Sequence, residues 1–217
     1  RLGAEVLVLE FTDRILPTSD KEMAAQLQKL LEKQGLKFKF GARAKSASVE
    51  GEKVKVSYEH DGKTHEETVD NVIVCVGRKP VTDTLGLDKA GVAKDARGYV
   101  TVDKHFKISV DSIYAIGDVI GGIMLAHKAE DEGVAVAEIL AGKPGHVRYE
   151  CCPAVVYTHP ELASVGLTEA QARARGDVKI GKAPLIINGR ARGMGETDGL
   201  VKVIADARTD RLLGVHI

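Results

Sequence analysis

The chain has 217 residues, 44% of them apolar and 29% charged, and its 31 basic and 31 acidic side chains cancel to zero formal charge. That balance gives no electrostatic reason to expect nucleic acid or an anionic membrane surface as partner, and no apolar run approaches the ~20 residues that span a bilayer. Cys75, Cys151 and Cys152 have neither CxxC nor zinc-site spacing, and the seven histidines form no HExxH cluster. Disulfides and metal are therefore not expected, and a reducing, intracellular setting is favoured.

Arg1-Leu2-Gly3 looks like the tail of a helix with its glycine stop, and the chain closes inside an apolar run, Leu212 to Ile217. Both ends are expected to be cuts in a longer protein. Glu5 to Glu10 reads as a buried parallel strand that ends on an acid. In a dinucleotide-binding βαβ unit an acid at that place bonds the adenosine ribose. The glycine-rich loop that goes with it, about 20 residues upstream, would precede Arg1. Arg14 lies further into the loop than a 2′-phosphate partner should, so the non-phosphorylated cofactor is preferred. Ser19 and Glu22 have capping-box spacing before a helical stripe of Met23, Leu27, Leu30 and Leu31 that stops at Gly35. Strands follow at Leu36 to Phe40, Ala47 to Glu50, Lys53 to Tyr58 and Thr64 to Val69. Asp61-Gly62 marks a tight hairpin, and the alternation implies an antiparallel ribbon covering one sheet face.

Val72 to Val76 is an unbroken apolar strand, with Cys75 as a small buried hydrophobe. It closes on Gly77, which suits either backbone approach to a ligand or a turn out of the sheet. Arg78 and Lys79 read as a solvated face. Val81 to Gly98 is turn-rich and suits a connection between domains. Ile113-Tyr114-Ala115-Ile116-Gly117-Asp118 then reads as a short apolar strand ending in a Gly-Asp turn. Gly117 lets a ligand approach the backbone, and Asp118 offers a carboxylate acceptor at a strand's C-terminal end. An Asp serving only its own turn remains the alternative. Gly121 and Gly122 turn the chain into a helix from Ala126 to Leu140, whose opening amides are ready donors. Its apolar side is expected at Ala129, Val134, Val136, Ala137 and Ile139, with Glu130, Asp131 and Glu132 favourable to the macrodipole. Gly142 to Gly145 ends it. Strands at Ala154 to Thr158, Lys179 to Ile187, Leu200 to Ala205 and Leu212 to Ile217, with a capping box at Thr168 and Gln171, make an antiparallel α+β module. His159 reads as a hydrogen-bonded structural histidine.

Four of these segments, in order, resemble the flavin-dependent pyridine nucleotide–disulfide oxidoreductases, and within them the dihydrolipoamide dehydrogenases. Val74 to Pro80 resembles the strand leaving that family's NAD domain, and Tyr114 to Asp118 its second FAD motif. Met124-Leu125-Ala126-His127-Lys128-Ala129-Glu130-Asp131-Glu132-Gly133 is similar to the form that separates dihydrolipoamide dehydrogenases from glutathione and mercuric reductases. Tyr157 to Glu161 with Val165-Gly166 resembles the start of the dimerisation domain.

The resemblance implies an α/β fold. Residues 1–78 would be the later part of a Rossmann-like NAD domain, 79–147 a central segment returning to the FAD domain, and 148–217 the first part of a dimerisation domain. It implies FAD and NAD as cofactors. Asp118 would accept from a ribityl hydroxyl and Gly117 would make room. Met124, Leu125, Ala126 and His127 would line the flavin ring, Glu10 would bind the NAD ribose, and the backbones of Ala44 and Gly77 would border the NAD site. The parent reaction would reoxidise dihydrolipoamide, carried on a lipoyl domain of a 2-oxoacid dehydrogenase complex, in a homodimer. The setting would be bacterial cytoplasm or, second, the mitochondrial matrix. The family's Cys-x-x-x-x-Cys pair is missing here, and His159-Pro160-Glu161 matches a segment earlier than the family's catalytic His-Pro-Glu. The chain alone is therefore expected to be inactive. Alternatives are a non-catalytic nucleotide-binding or assembly module of the same fold, and a related disulfide or metal reductase.

Overall fold

The computed structural model describes residues 3–217. In chain order its elements are β1 (Leu7–Leu9), α1 (Lys21–Lys33), β2 (Lys37–Lys39), β3 (Arg43–Glu50), β4 (Lys53–His60), β5 (Lys63–Val69), α2 (Ala126–Leu140), β6 (Ala154–Val156), β7 (Leu162–Gly166), α3 (Glu169–Arg173), β8 (Val178–Pro184), α4 (Gly189–Met194), β9 (Leu200–Asp206) and β10 (Leu212–His216). They fall into two compact units, one running through Val74 and including Pro153–Ile217, the other Cys75–Cys152. The helix tail expected at Arg1 and Leu2 lies outside the described residues.

In the first unit β1 and β2 pair in parallel, with α1 as the crossover between them. This is the βαβ unit of Rossmann-like folds. The helix buries Met23, Leu27 and Leu31 at i, i+4 and i+8, and these pack with Ile15, Leu162 and Leu200. Its start differs from the capping box expected at Ser19 and Glu22. Asp20 is the N-cap, its carboxylate accepting from the amides of Glu22 at 3.2 Å and Met23 at 3.4 Å. The helix ends as expected. Gly35 takes φ +98°, and the amides of Gly35 and Leu36 bond the carbonyls of Glu32 and Leu31, the pattern of a Schellman stop.

Strands β3, β4 and β5 form an antiparallel sheet, longer at β3 than the alternation implies. Asp61 and Gly62 both adopt positive φ, as a type I′ hairpin requires. Tyr58 is fully buried on β4, and its hydroxyl meets Lys39 of β2 and Glu67 of β5. The third sheet of this unit has the order β6-β7-β10-β9-β8, antiparallel throughout. The Thr168–Gln171 capping box forms at α3. The strand expected to reach Ile187 stops at Pro184, and a single helical turn, Leu185–Ile187, follows.

Residues 72–76 do not form the expected strand. They pair with no strand among the described residues, and Ile73, Val74 and Val76 are exposed, as is Cys75. An apolar run becomes a strand only where a neighbour accepts its ladder bonds, and neither β1 nor β2 does so here.

The second unit is turn-rich, with one α-helix and two one-turn helices. Residues 81–98 do more than connect, because Leu87 and Val92 join Val100, Ile108, Ile113, Ala115 and Val119 in a core. The strand expected to end at Asp118 is absent. Tyr114 makes a single bridge with Lys107, Ala115 donates to the Phe106 carbonyl at 3.0 Å, and Gly117–Ile120 winds into a one-turn helix. The segment is held by core packing rather than by a ladder. Helix α2 has the bounds expected of it, but a different inner face. Lys128, Glu132 and Ala135 are buried, whereas Val134 is exposed. Glu132 is therefore an interior group and not a partner of the macrodipole.

Candidate functional site

The turn before α2 gathers most of the residues singled out in the second unit. Gly117 is buried with φ +75°, and a Cβ there would lie 3.3 Å from that of Ala129 on α2. A larger residue would lift the turn off the helix, which is the physical need for glycine. Asp118 follows on the exposed side. One oxygen accepts from Arg78 Nη1 at 2.9 Å, so Arg78 belongs to this site rather than only to a solvated face. Both side chains are open to water, so R78A is expected to change stability by less than about 1 kcal/mol, read as a urea midpoint. The same pair borders an open cleft of about 500 Å³, with Pro80, Val81, Tyr99 and Met124 on its walls.

Met124, Leu125 and His127 are half-buried and Ala126 is exposed. Leu125 is the N-cap of α2 and provides no side-chain cap, so the helix opens with its end amides unserved by that residue. Gly77 sits nearby in sequence with φ +122°, exposed, and with open space where a Cβ would be.

Glu10 and Ala44 lie in the other unit. Glu10 follows β1, and its Oε1 accepts from the Thr12 amide at 2.7 Å and the Thr12 hydroxyl at 2.8 Å. Its Oε2 makes no bond among the described residues. Ala44 is exposed on β3, opposite Tyr58. Arg14 Nη2 bonds the Pro17 carbonyl at 2.7 Å, so that guanidinium serves its own loop. A second cleft, of about 330 Å³, is walled by Phe11 and Arg43, the sequence neighbours of Glu10 and Ala44. Arg43 lies 4.9 Å over the Phe11 ring.

Sequence reasoning missed a buried group behind the Asp118 turn. Glu132 Oε2 accepts from the Gly117 amide at 2.6 Å, and Oε1 from the Tyr149 hydroxyl at 2.8 Å. Lys128 Nζ donates to Glu132 and to the carbonyls of Gly117 at 3.2 Å and Gly121 at 3.4 Å. Burial first, and then the Glu132 carboxylate, push the Tyr149 hydroxyl well above the ordinary tyrosine range. The signal was present as an i, i+4 Lys–Glu pair, but on a helix that spacing usually marks a solvated face.

A family model described as pyridine nucleotide-disulphide oxidoreductase matches residues 1–133, and that family's dimerisation domain matches 152–217. The chain belongs to this family. Among its relatives as a pyridine nucleotide-disulphide oxidoreductase, a dihydrolipoyl dehydrogenase from Cupriavidus necator is 52% identical over the whole chain and 46% of its own length. A mitochondrial dihydrolipoyl dehydrogenase from Pisum sativum is 48% identical over all of this chain and 44% of its own, and a leghemoglobin reductase from Glycine max 47% over all and 42%. The chain thus spans about half the length of the relatives it matches. Among solved structures, a HOCl-induced flavoprotein disulfide reductase, RclA, from Escherichia coli superposes with TM-score 0.91 at 33% identity, over 99% of this chain and 49% of that one. Among the described residues, no helix is long and apolar enough to cross a membrane, and no cluster of His, Cys, Asp or Glu could hold a metal ion.

Proposed function

We propose that this chain is part of an FAD-dependent dihydrolipoamide:NAD oxidoreductase. The observation that carries the reading is the Gly117–Asp118 turn set against the start of α2, where Leu125 gives no side-chain cap, in a chain 52% identical throughout to a dihydrolipoyl dehydrogenase. The residues fit a flavin. Asp118 supplies an acceptor for a ribityl hydroxyl, Met124 and Leu125 an apolar edge, and the first amides of α2 a partial positive charge beside the ring. Ala126 and His127 complete the edge through their backbone. When bound, FAD supplies the relay of an electron pair between a disulfide and the nicotinamide.

On the NAD side, Glu10 accepts from the adenosine ribose through its unengaged Oε2, and Ala44 presents backbone close to the dinucleotide. Arg14 Nη2 is engaged by the Pro17 carbonyl of its own loop, which supports NAD over its 2′-phosphorylated form in this reading. In this reading residues 1–78, 79–147 and 148–217 are the NAD-domain, FAD-domain and dimerisation portions, and the parent works as a homodimer. It accepts dihydrolipoamide from a lipoyl domain of a 2-oxoacid dehydrogenase complex, in bacterial cytoplasm or mitochondrial matrix. The redox cysteine pair and the catalytic His-Glu are not among this chain's residues, since Cys151 and Cys152 are adjacent and Cys75 is free and exposed.

Two measurements test the reading. The complete protein should be yellow, and dihydrolipoamide should bleach it and then drive NAD reduction. Reduction of a different disulfide or of a haem protein, with no response to dihydrolipoamide, would instead favour a related reductase. The 217-residue chain alone should show no dihydrolipoamide-dependent NAD reduction, and turnover by it would overturn the division of labour proposed here.

A further inference from the structure

Lys128 and Glu132 are 1% and 0% exposed, although both are ionisable. Burying an ion pair adds little stability over an apolar pair of the same size, because desolvation cancels most of the attraction. Stability alone therefore gives weak reason for this pair, and its geometry supplies a better one. Glu132 holds the Gly117 amide and Lys128 the Gly117 carbonyl, so the peptide groups on both sides of that residue are fixed from α2. The next residue is Asp118. Lys128 also reaches the Gly121 carbonyl, so the one-turn helix Gly117–Ile120 is clamped at its start and just past its end. Tyr149 closes the arrangement from a third piece of chain. The path to it passes hard against α2, where a Cβ on Gly145 would overlap the Ala135 carbonyl. The Tyr149 hydroxyl then takes the carboxylate oxygen that Gly117 does not use.

We infer that Glu132, Lys128 and Tyr149 form a positioning network that aims Asp118 at the flavin. None of the three needs to touch the cofactor. Their effect passes through the backbone of Gly117, whose positive φ is held by hydrogen bonds at both its amide and its carbonyl. The inference rests on the flavin reading of Asp118 given above, and its test separates the two.

In the complete protein, FAD is removed and rebound, and its Kd is read from quenching of flavin fluorescence for the wild type, D118A, E132Q and Y149F. The network predicts that Y149F raises the Kd about 5-fold to 10-fold and E132Q by more than about 30-fold. Both should also leave the bound flavin more fluorescent, because its anchor is loosened. Circular dichroism and the unfolding temperature of each apoprotein show whether the fold survives. If E132Q does not fold, Y149F, which keeps the ring, still decides. Wild-type affinity and flavin fluorescence in a folded Y149F or E132Q, with binding lost in D118A, would overturn the network and leave the flavin reading standing. Wild-type affinity in D118A would overturn the flavin reading, and the network's role with it.

Discussion

Replacing Lys202 with methionine is expected to destabilise the protein by about 3–5 kcal/mol, the range for removing one partner of a buried ion pair. Lys202 is 1% exposed on β9, and its ammonium meets Asp20 at 2.8 Å, Glu22 at 2.9 Å and Glu169 at 2.7 Å. Asp20 is buried as well. It caps α1 and also accepts from the Glu169 amide at the start of α3. The lysine thus neutralises carboxylates at the mouths of two helices, and without it Asp20 keeps a charge that neither water nor a cation compensates. Burial works against the charge on Lys202, but the three carboxylates outweigh it and hold the ammonium above the ordinary lysine range. For Asp20 burial again opposes the charge, and the bonds from Lys202 and the Glu169 amide prevail, so its carboxyl stays below the usual range. Glu22, through Lys182 first and then Lys202, and Glu169, through Lys202, are lowered too.

The signs then fix the pH dependence. Lowered carboxylates contribute stability above their unfolded pKa values, near 4, and lose it as pH falls through the folded ones. A raised lysine contributes fully below its unfolded value, near 10.4, and loses that only as pH rises towards the folded one. Urea unfolding should therefore show the full gap between wild type and K202M at pH 6–8, narrowing below about pH 4 as the orphaned carboxylates take up protons. A gap that stays constant down to pH 3 would mean that Lys202 acts through packing alone.

What the sequence revealed and what it hid follow one physical line. Helix α2 could be bounded because Gly121, Gly122 and Gly142 punctuate it locally, and the Asp61-Gly62 hairpin because its turn chemistry is complete in two residues. The Met23, Leu27 and Leu31 stripe was legible for the same reason. The N-cap of α1 was not. Ser19 and Asp20 both suit that role by type, and the choice is made by Lys202, 182 residues away. Residues 72–76 look like a strand by composition, yet strand formation depends on a neighbour that the run itself does not specify. At the candidate site, Gly117, Asp118 and the opening of α2 were readable as a motif. Arg78, Lys128, Glu132 and Tyr149 were not, because a polar side chain reveals its partner only when the group that receives it is brought from another part of the chain.

The dimerisation module carries the second large effect, at the meeting of β7 and β10. Gly166 and Gly214 are paired in register there, so neither strand presents a side chain where the two approach. A Cβ on Gly166 would overlap the Leu213 carbonyl oxygen, which is the acceptor of the Leu167 amide at 2.8 Å. Gly166 also takes φ +80°, a conformation that costs an L-residue about 1–2 kcal/mol. Overpacking against rigid backbone adds about 1–3 kcal/mol, so G166A should destabilise the protein by about 2–5 kcal/mol. The clash cannot be relieved by a rotamer change, because the obstructing atom is main chain. Relief requires β10 to move, and β10 is the central strand of its sheet, between β7 and β9. The damage falls in the segment that matches the dimerisation domain, so in the homodimer proposed above G166A should also weaken self-association, seen as a shift towards monomer in sedimentation. G181A, on β8 with open space at its Cβ position, is the internal control and should stay within about 0.5 kcal/mol of wild type. Equal urea midpoints for G166A and G181A would show that β7 and β10 do not close on one another as this glycine pair requires.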